Sequence, residues 1–367
     1  MHEANRIKQC SIILTRNCNL RCNFCFAKGA GYCENEQIEI DSLKKIIDFC
    51  CELEVEYVFF TGGEPLLYPS LNEALAYLKK KNNMIKTAIA SNGILMENRL
   101  FCEKLFDSGL DYIDISIKGK NSEEWVAATG YDGYILQQKG IRNLSLLNVN
   151  FTCSMVVSIN NVYSICDSVE EAKKNGAKQF SFTFFIDNSR NQRNGLNYLA
   201  SHNPFELIEA FISQIDRLDT ITKEWWIEYS FPICMFTKRQ LQILERKLAT
   251  PCQVHKKNAI TFDTRLNLLP CDMYYDDIIG RLGEDFSNAK EFMSFCNKGV
   301  YEKTMSSISR LPSDKCVKCE FLEKCVGGCP VLWRNYSFSE MEKCRDSYIG
   351  KERVTLKNGK SSIIGTF

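Results

Sequence analysis

The chain has 367 residues, and its 46 Lys and Arg against 45 Asp and Glu give a net charge of +1. This balance excludes bulk attraction to nucleic acid or to an anionic membrane surface, and no apolar window is long enough to span a membrane. The length suits one large barrel or two domains. There are 19 cysteines and only three histidines. With no signal peptide in evidence, we expect a cytoplasmic protein whose clustered cysteines are metal ligands rather than disulfides.

Predicted strands and helices alternate through the first half of the chain. The predicted strands are 11–15, 57–60, 87–90, 112–117, 150–157 and 179–186. The predicted helices between them are 41–54, 70–81, 97–108, 134–147 and 161–175, with Asp41 and Ser70 as N-terminal caps of the first two. Such βα repeats build a parallel sheet, either an open doubly wound sheet or a barrel, with the active site at the C-terminal ends of the strands.

The second half loses this alternation, which suggests a change of domain. We expect the barrel to occupy 1–190, a connecting helical segment to occupy 191–251, a cysteine-rich domain to occupy 252–350 and a polar tail to occupy 351–367. Within the connecting segment, 204–218 is predicted to be a helix. Weak periodicity around many cysteines is typical of a small domain organised by metal.

The first cysteine group is Cys18-x3-Cys22-x2-Cys25, directly after the first predicted strand. Three thiolates on one compact loop suit three irons of a [4Fe–4S] cluster and leave the fourth iron open. A structural zinc site needs four protein ligands. No fourth ligand is obviously close, and Cys33 is the nearest further cysteine.

The second group consists of seven cysteines, at Cys252, Cys271, Cys316, Cys319, Cys325, Cys329 and Cys344. A zinc ribbon is the alternative interpretation, because paired cysteines often bind zinc. Seven thiols exceed what one tetrahedral zinc ion uses, so the spacing favours iron–sulfur clusters.

The first group, with Phe24 just before its last cysteine, resembles the signature of the radical SAM superfamily, whose members use S-adenosylmethionine (SAM). The second group resembles the SPASM extension, which carries auxiliary Fe–S clusters. These resemblances cover about 8–190 and 234–350. They imply an α/β fold, with a partial (β/α)6 TIM-type barrel followed by a small cysteine-rich Fe–S domain, and three [4Fe–4S] clusters. One departure is Leu266, which stands where the family usually has glycine.

The resemblance also implies which residues bind SAM. In the superfamily, a segment such as Gly62-Gly63-Glu64 holds the amino group of SAM, and glycine lets the backbone approach a ligand closely. A serine at the position of Ser116 helps to bind the methionine carboxylate. We also expect Phe24 of the cysteine loop at this site, and the residues Ser91, Asn92, Lys118 and Asn160 on the same rim. The alternatives are a plain βα turn at Gly62 and a solvated side chain at Lys118.

By family topology, the auxiliary clusters divide the remaining cysteines into two sets. The outer set is Cys316, Cys319, Cys325 and Cys344, and the inner set is Cys252, Cys271 and Cys329. Two cubane clusters take up to eight ligands. The seven cysteines therefore leave one ligand unassigned. Cys234 is the best upstream candidate, although core packing is an equal alternative for it, and the substrate itself could also be the eighth ligand.

The function implied by the resemblance is reductive cleavage of SAM to a 5′-deoxyadenosyl radical, followed by oxidative modification of a peptide or protein. The leading hypothesis is maturation of a ribosomal peptide through a thioether or carbon–carbon crosslink. Asp272 matches a position where sulfatase-maturating enzymes place a general base; a turn-capping role is the alternative. Expected partners are a peptide or protein substrate and a flavodoxin- or ferredoxin-type reductant. The first predicted strand begins close to residue 1, so we expect no separate peptide-binding domain before it, and delivery by a partner protein is an option.

Two other functions remain open. An anaerobic sulfatase-maturating enzyme fits the chain length, but that family tends to have Gln where this chain has Thr61 and an extra cysteine where it has Arg246. A non-catalytic Fe–S electron carrier fits the cysteines alone. Gly62-Gly63-Glu64 argues against a carrier, because a carrier needs no site for SAM.

Overall fold

The computed structural model describes residues 6–27, 35–186, 204–228, 231–249, 252, 254–297 and 299–358. Ten strands form one sheet in the order β10-β9-β8-β1-β2-β3-β4-β5-β6-β7. The strands are β1 (Gln9–Thr15), β2 (Tyr57–Gly62), β3 (Lys86–Ser91), β4 (Tyr112–Ser116), β5 (Phe151–Val157), β6 (Phe180–Phe184), β7 (Trp225–Glu228), β8 (Ala259–Phe262), β9 (Asn267–Leu269) and β10 (Gly280–Arg281).

Helices connect the strands and continue into the C-terminal part. They are α1 (Ile40–Glu52), α2 (Leu71–Lys81), α3 (Arg99–Asp107), α4 (Ser122–Thr129), α5 (Tyr134–Leu146), α6 (Ile165–Lys174), α7 (Pro204–Ile212), α8 (Ile215–Ile221), α9 (Lys238–Leu244), α10 (Ala289–Cys296), α11 (Gly299–Ile308), α12 (Leu322–Cys325), α13 (Leu332–Asn335) and α14 (Phe338–Asn358). Among the helices of the described residues, none has the length and apolarity that a membrane crossing needs.

Strands β1 to β7 and β8 run parallel, and the helices cover one face of their sheet. The alternation along β4 shows the two faces. Ile113 and Ile115 are fully buried on the helix-covered side, whereas Asp114 and Ser116 are half-buried on the concave side. The order of the parallel strands confirms the predicted α/β partial barrel, and their C-terminal ends meet at one rim.

The structure adds strands that the sequence did not reveal. β7 lies in the segment predicted to be a helical connection, and it pairs with β6. β8 comes from the cysteine-rich segment, and it pairs with β1 on the opposite edge. Both strands are four residues long, which is too short for a periodic pattern to stand out. The helix predicted over 204–218 is broken at Ser213 and Gln214 into α7 and α8.

One predicted helix cap was wrong, a second lacks its capping hydrogen bond, and one helix was not predicted. Asp41 lies in the first turn of α1, whose cap position is Glu39. Ser70 holds the cap position of α2, but its side chain makes no capping hydrogen bond. Helix α4 was missed, because its amphipathic signal is weak; Asn121 caps its start by accepting a hydrogen bond from the Glu124 amide at 2.9 Å.

The cysteine-rich half shares a core with the barrel. Phe49 of α1 packs against three aromatic rings from the C-terminal half, with ring centroids 5.8 Å away for Phe262, 5.6 Å for Phe286 and 5.4 Å for Phe292. Together with the β8–β1 pairing, this packing joins the C-terminal cysteines rigidly to the first strands of the barrel.

Candidate active site

The loop that follows β1 carries Cys18, Cys22 and Cys25, all half-buried. Two backbone hydrogen bonds fasten this loop to the end of α4: the Arg21 amide donates to the Thr129 carbonyl at 3.0 Å, and the Asn23 amide donates to the Ala128 carbonyl at 2.9 Å. Leu20, between the first two cysteines, packs with the fully buried Trp125 of α4. The loop therefore has a defined shape before any ligand binds.

Burial governs the chemistry of these thiols. Burial is the main reason that the pKa of Cys18 is raised to about 12; the Leu20 amide acts against it, and the charges of Glu64 and the other two cysteines add to the rise. Burial likewise raises the pKa of Cys22, with Lys118 acting in the opposite direction. Three thiolates can share this loop only with a cation among them, which is what an iron–sulfur cluster provides.

Gly62 and Gly63 lie directly against the cysteine loop. Gly62 has φ +142°, and a Cβ there would collide with the Thr15 carbonyl oxygen; one on Gly63 would collide with the Asn17 carbonyl oxygen. The Gly63 amide donates to Thr15 at 2.7 Å and the Glu64 amide donates to Asn17 at 2.8 Å. The two glycines thus allow their backbone to pack closely against the chain's own cysteine loop.

Glu64 points inward and is 2% exposed. Its Oε1 accepts hydrogen bonds from Ser91 Oγ at 2.8 Å and the Leu66 amide at 3.1 Å, and its Oε2 accepts one from the Asn92 amide at 2.8 Å. Burial raises the pKa of this carboxyl despite those hydrogen bonds. The carboxylate therefore organises the end of β3 through three hydrogen bonds within the protein. Its contact with the amino group of SAM stays a prediction.

Asn92 connects the end of β3 to the cluster loop. Its Nδ2 donates to Asn19 Oδ1 at 2.7 Å, and its Oδ1 accepts from the Ile94 amide at 3.0 Å. Ser91 Oγ accepts from the Gly93 amide at 2.9 Å. Both predicted cofactor residues are at the rim as expected, and both already have protein partners.

Gln137 of α5 is a rim residue that sequence reasoning missed. Its side chain is fully buried, and Nε2 donates to the Asn92 carbonyl at 2.7 Å and to the Ser116 carbonyl at 2.9 Å. It therefore ties the ends of β3 and β4 together. The available signal was a polar residue on the buried face of a predicted helix.

Ser116, Lys118 and Phe24 form a group beside the cluster loop. Lys118 Nζ donates to Ser116 Oγ at 2.7 Å and lies 5.1 Å from the centre of the Phe24 ring. Lys118 is 9% exposed, so the alternative of a freely solvated lysine does not hold. Asn160, after β5, is exposed, and the neighbouring Asn161 makes the turn by accepting a hydrogen bond from the Ser158 amide at 2.8 Å.

Asp272 reaches the rim of the barrel from the cysteine-rich half. A cavity of about 30 Å³ is lined by Gly62, Gly63, Asp272 and Tyr275, together with residues of the cluster loop. Burial raises the pKa of the Asp272 carboxyl. Cys271 Sγ donates to Asp272 Oδ1 at 3.4 Å, so this carboxylate lies between the predicted inner cluster and the barrel.

The inner cysteines come together at one place. The thiols of Cys329 and Cys252 are close enough to Cys271 to raise its pKa, after the larger effects of burial and Asp272. Leu266, where the family usually has glycine, adopts φ +67°, the left-handed region that glycine favours. Asp263 Oδ1 holds this turn by accepting from the Arg265 amide at 2.8 Å and the Asn267 amide at 2.9 Å.

Cys234 lies with the outer cysteines and not with the inner ones. The charges of Cys325, Cys316 and Cys319 raise its pKa, which burial brings to about 11. The adjacent Ile233 amide donates to Cys325 Sγ at 3.2 Å. Arg345, next to Cys344, donates from Nη1 to the Cys234 carbonyl at 3.4 Å. The inner set therefore keeps three cysteines among the described residues; Cys33 lies outside them.

Within the described ranges, no three His, Cys, Asp or Glu side chains are close enough together to chelate one metal ion. A tetrahedral zinc ion needs four ligands around it, whereas each iron of a cubane takes one thiolate of its own.

Comparison with known proteins identifies the barrel. Residues 12–152 match the Radical SAM superfamily. The GTP 3′,8-cyclase of Chlorobaculum tepidum is 30% identical over 153 residues, which are 41% of this chain and 46% of the cyclase. The chain thus spans about half the length of such curated relatives. The antilisterial bacteriocin subtilosin biosynthesis protein AlbA of Bacillus subtilis is 27% identical over 322 residues, 86% of this chain and 65% of AlbA.

Solved structures extend the likeness of the fold to the cysteine-rich half. anSMEcpe with bound SAM has a TM-score of 0.68 at 17% identity, covering 95% of this chain and 99% of that one. Streptococcus suis SuiB bound to its precursor peptide SuiA has a TM-score of 0.63 at 17% identity, covering 89% and 72%. The predicted architecture, a partial barrel with a cysteine-rich extension, is confirmed.

Proposed function

Because residues 12–152 match the Radical SAM superfamily, we propose that the chain oxidatively modifies a peptide or protein substrate and matures a ribosomal peptide by forming a crosslink. The observation that carries this proposal is the cavity where the rim residues Gly62 and Gly63 meet Asp272. A carboxyl group whose pKa is raised by burial borders this cavity, which supports a role in the proposed reaction.

The chain offers three places for clusters. The loop of Cys18, Cys22 and Cys25 would hold the cluster that binds SAM, and the inner and outer sets would hold two auxiliary clusters. When bound, the clusters and SAM supply the electron for SAM cleavage, the radical that removes a substrate hydrogen atom, and the acceptor for the electron that the oxidised substrate gives up. Side chains of the protein would carry out the remaining steps of the reaction.

Forming one crosslink between a C–H group and an S–H group, or between two C–H groups, removes two electrons and two protons from the substrate. One electron and one proton leave together as a hydrogen atom, to the SAM-derived radical, and the other electron and proton leave separately. Asp272 would take this proton, since a carboxyl whose pKa is raised by burial is a better base than an exposed one. Its neighbour Cys271 belongs to the proposed inner cluster, which puts proton and electron acceptors side by side.

The relatives favour a peptide substrate. AlbA, by its name, serves the biosynthesis of a bacteriocin, and its similarity extends through both halves of the chain. SuiB and anSMEcpe were each solved with a peptide bound. The likeness to GTP 3′,8-cyclase covers only 41% of the chain and supports the shared barrel chemistry rather than a nucleotide substrate.

Formylglycine formation in a sulfatase is the second candidate. The overlap with anSMEcpe, which covers 95% of this chain and 99% of that one, favours it, whereas Thr61 and Arg246 depart from what that family tends to have. The two candidates differ in their product: one forms a bond between two residues, and the other oxidises one residue. Mass and fragment spectra of the treated substrate distinguish them. A flavodoxin- or ferredoxin-type reductant and a peptide-delivery protein are further proposed partners.

Iron content tests the cluster assignment. Anaerobically reconstituted protein should hold about twelve irons per chain. Replacing Cys18, Cys22 and Cys25 together by Ala should remove about four irons and abolish deoxyadenosine formation. Cys51→Ala, a half-buried thiol on α1, is the matched control and should retain both. Deoxyadenosine formation by the triple variant would contradict the proposal.

Asp272→Asn tests the proton acceptor. This variant should keep its irons and still form deoxyadenosine, while the yield of modified peptide falls by about 10²-fold or more. Asp276→Asn, on the exposed part of the same loop, is the control and should give full yield. A joint loss of irons, solubility and deoxyadenosine would show a structural turn cap, and full yield would exclude the catalytic role.

A further inference from the structure

The inner cysteines lie on three segments that are far apart along the chain. The segments are Cys252 with 254–257, Cys271 with 272–277, and Cys329 with its neighbours in 327–334. Bringing separate loops into one arrangement costs conformational entropy, which cluster binding alone must otherwise offset. Contacts between the three segments therefore decide how readily the inner site forms.

Arg334 joins the segment of Cys329 to the segment of Cys271. Its Nη2 donates to Asp277 Oδ2 at 2.7 Å, and its guanidinium lies over the Tyr274 ring, with Cζ 4.3 Å from the ring centre. The Tyr274 amide donates to the Cys271 carbonyl at 2.9 Å, and the Asp277 amide donates to the Tyr274 carbonyl at 3.0 Å. The side chains of the ion pair are only 22% and 33% exposed, so solvent screens it less than a surface pair.

His255 joins the segment of Cys252 to the segment of Cys329. Its Nε2 lies 3.1 Å from the Gly328 carbonyl oxygen and donates to it, since a carbonyl oxygen can only accept. Trp333 Nε1 donates to the carbonyl one residue before Gly328, at 2.6 Å. Two side-chain donors thus hold the two carbonyl groups that directly precede Cys329.

The Arg334 contact lies close to the thiols. Burial raises the pKa of Tyr274, and the charges of Cys329, Cys271 and Cys252 add to the rise, so the ring that Arg334 covers is within electrostatic reach of all three. Tyr274 is 4% exposed. Losing the guanidinium would therefore free a ring that packs beside the inner cysteines.

From these contacts we propose that Arg334 and His255 are positioning residues, which hold the three segments so that Cys252, Cys271 and Cys329 can bind the inner cluster. The inference rests on the auxiliary clusters of the proposed function. Arg334 acts through Asp277 and Tyr274, and His255 acts through the backbone that leads into Cys329. Contacts of this kind around metal ligands change metal affinity by about 10- to 100-fold.

Loss of iron to a chelator tests the inference. Full-length, anaerobically reconstituted protein is incubated with increasing chelator concentrations, and each reduced cluster is followed by electron paramagnetic resonance. A variant with Cys252, Cys271 and Cys329 replaced by Ala identifies the signal of the inner cluster by its absence. Arg334→Gln and His255→Leu should each lose the inner cluster at an about ten-fold lower chelator concentration than wild type. The other two clusters should be lost at the wild-type concentration.

Conservative variants separate positioning from general folding. Arg334→Lys keeps a cation for Asp277, and His255→Gln keeps an N–H donor, so each should hold the inner cluster more firmly than the Gln or Leu variant. Arg281→Gln on β10 is the matched control, because Arg281 also pairs with a carboxylate, Glu284 at 2.6 Å, and donates to a backbone carbonyl. It should behave as wild type.

Loss of the inner cluster at the wild-type chelator concentration, in either Arg334→Gln or His255→Leu, would overturn the role of that residue. An equally early loss of all three clusters would overturn the inference, because the side chains would then stabilise the whole chain. If iron loss follows the expected pattern but no peptide is modified, the proposed function fails and the inference stands. A wild type with only about four irons would refute the auxiliary clusters, and the inference with them.

Discussion

Glu64 is hydrogen-bonded within the protein at the place where SAM binding is predicted. Its two carboxylate oxygens accept three hydrogen bonds within the protein. In Glu64→Gln one oxygen becomes an NH₂ that faces another donor. We expect a loss of about 1–3 kcal/mol in unfolding free energy together with weaker SAM binding and unchanged iron content. Thermal melts and SAM titration measure the two effects. Weaker binding with an unchanged melt would mean that the carboxylate contacts SAM directly.

The raised pKa of Asp114 predicts that the stability of the protein depends on pH. Its pKa is raised to about 7 by burial and by Glu228, with Ser154 and Lys118 acting against them; Tyr112 and Cys153 are the other titratable groups near it. The folded state holds the proton of Asp114 more tightly than the unfolded state does. The contribution of this group to the free energy of unfolding is therefore fully present below about pH 4 and is lost as the pH rises through 7.

Asp114→Asn should therefore gain stability relative to wild type as the pH rises from 5 to 8, by at most about 3 kcal/mol. Melts of both proteins at pH 5, 6, 7 and 8 give the comparison, with Asp216→Asn as the control. A difference between variant and wild type that stays constant with pH would contradict the raised pKa.

At the scale of elements, α4 holds the loop that carries the first three cysteines. The contact depends on Trp125, whose ring is fully buried against Leu20. Trp125→Ala should cost about 3–5 kcal/mol and loosen the hydrogen bonds from Arg21 and Asn23 to the end of the helix. We expect the cluster bound by Cys18, Cys22 and Cys25 to be lost faster than the auxiliary clusters.

The rate of iron release to a chelator, with the reduced clusters followed by electron paramagnetic resonance, measures this order of loss. Trp125→Phe is the matched control, because it keeps an apolar ring at the site. If the alanine variant released iron from all clusters at the same rate, α4 would not stabilise the loop of Cys18, Cys22 and Cys25 in particular.

At the scale of the whole molecule, the two halves should unfold together. Phe286, from the C-terminal half, lies 5.6 Å from Phe49 of α1 and 5.0 Å from Phe292. Phe286→Ala should lower the unfolding free energy by about 3–5 kcal/mol, and barrel and cysteine-rich probes should melt in one transition. Phe286→Leu should retain much of the stability. Two separated transitions would indicate that the shared core does not couple the halves.

The local features of this protein were determined by its sequence. Six strands and most of the helices between them follow from alternation of apolar and polar residues, which acts over a few neighbours. The grouping of Cys18, Cys22 and Cys25 needs only one short loop, so their spacing alone predicted a shared site. The same holds for Cys316, Cys319 and Cys325, which lie within ten residues of one another.

Contacts between distant segments were decided by the tertiary structure. Glu64 turns inward because Ser91 and Asn92 of another strand offer it donors. Cys234 joins the outer cysteines because Ile233 binds Cys325, 92 residues away along the chain. β7 and β8 are strands because the edges of the sheet pair with them, and not because four residues carry a pattern. Pairing and hydrogen bonding across such separations depend on how the whole chain packs, which no local periodicity records.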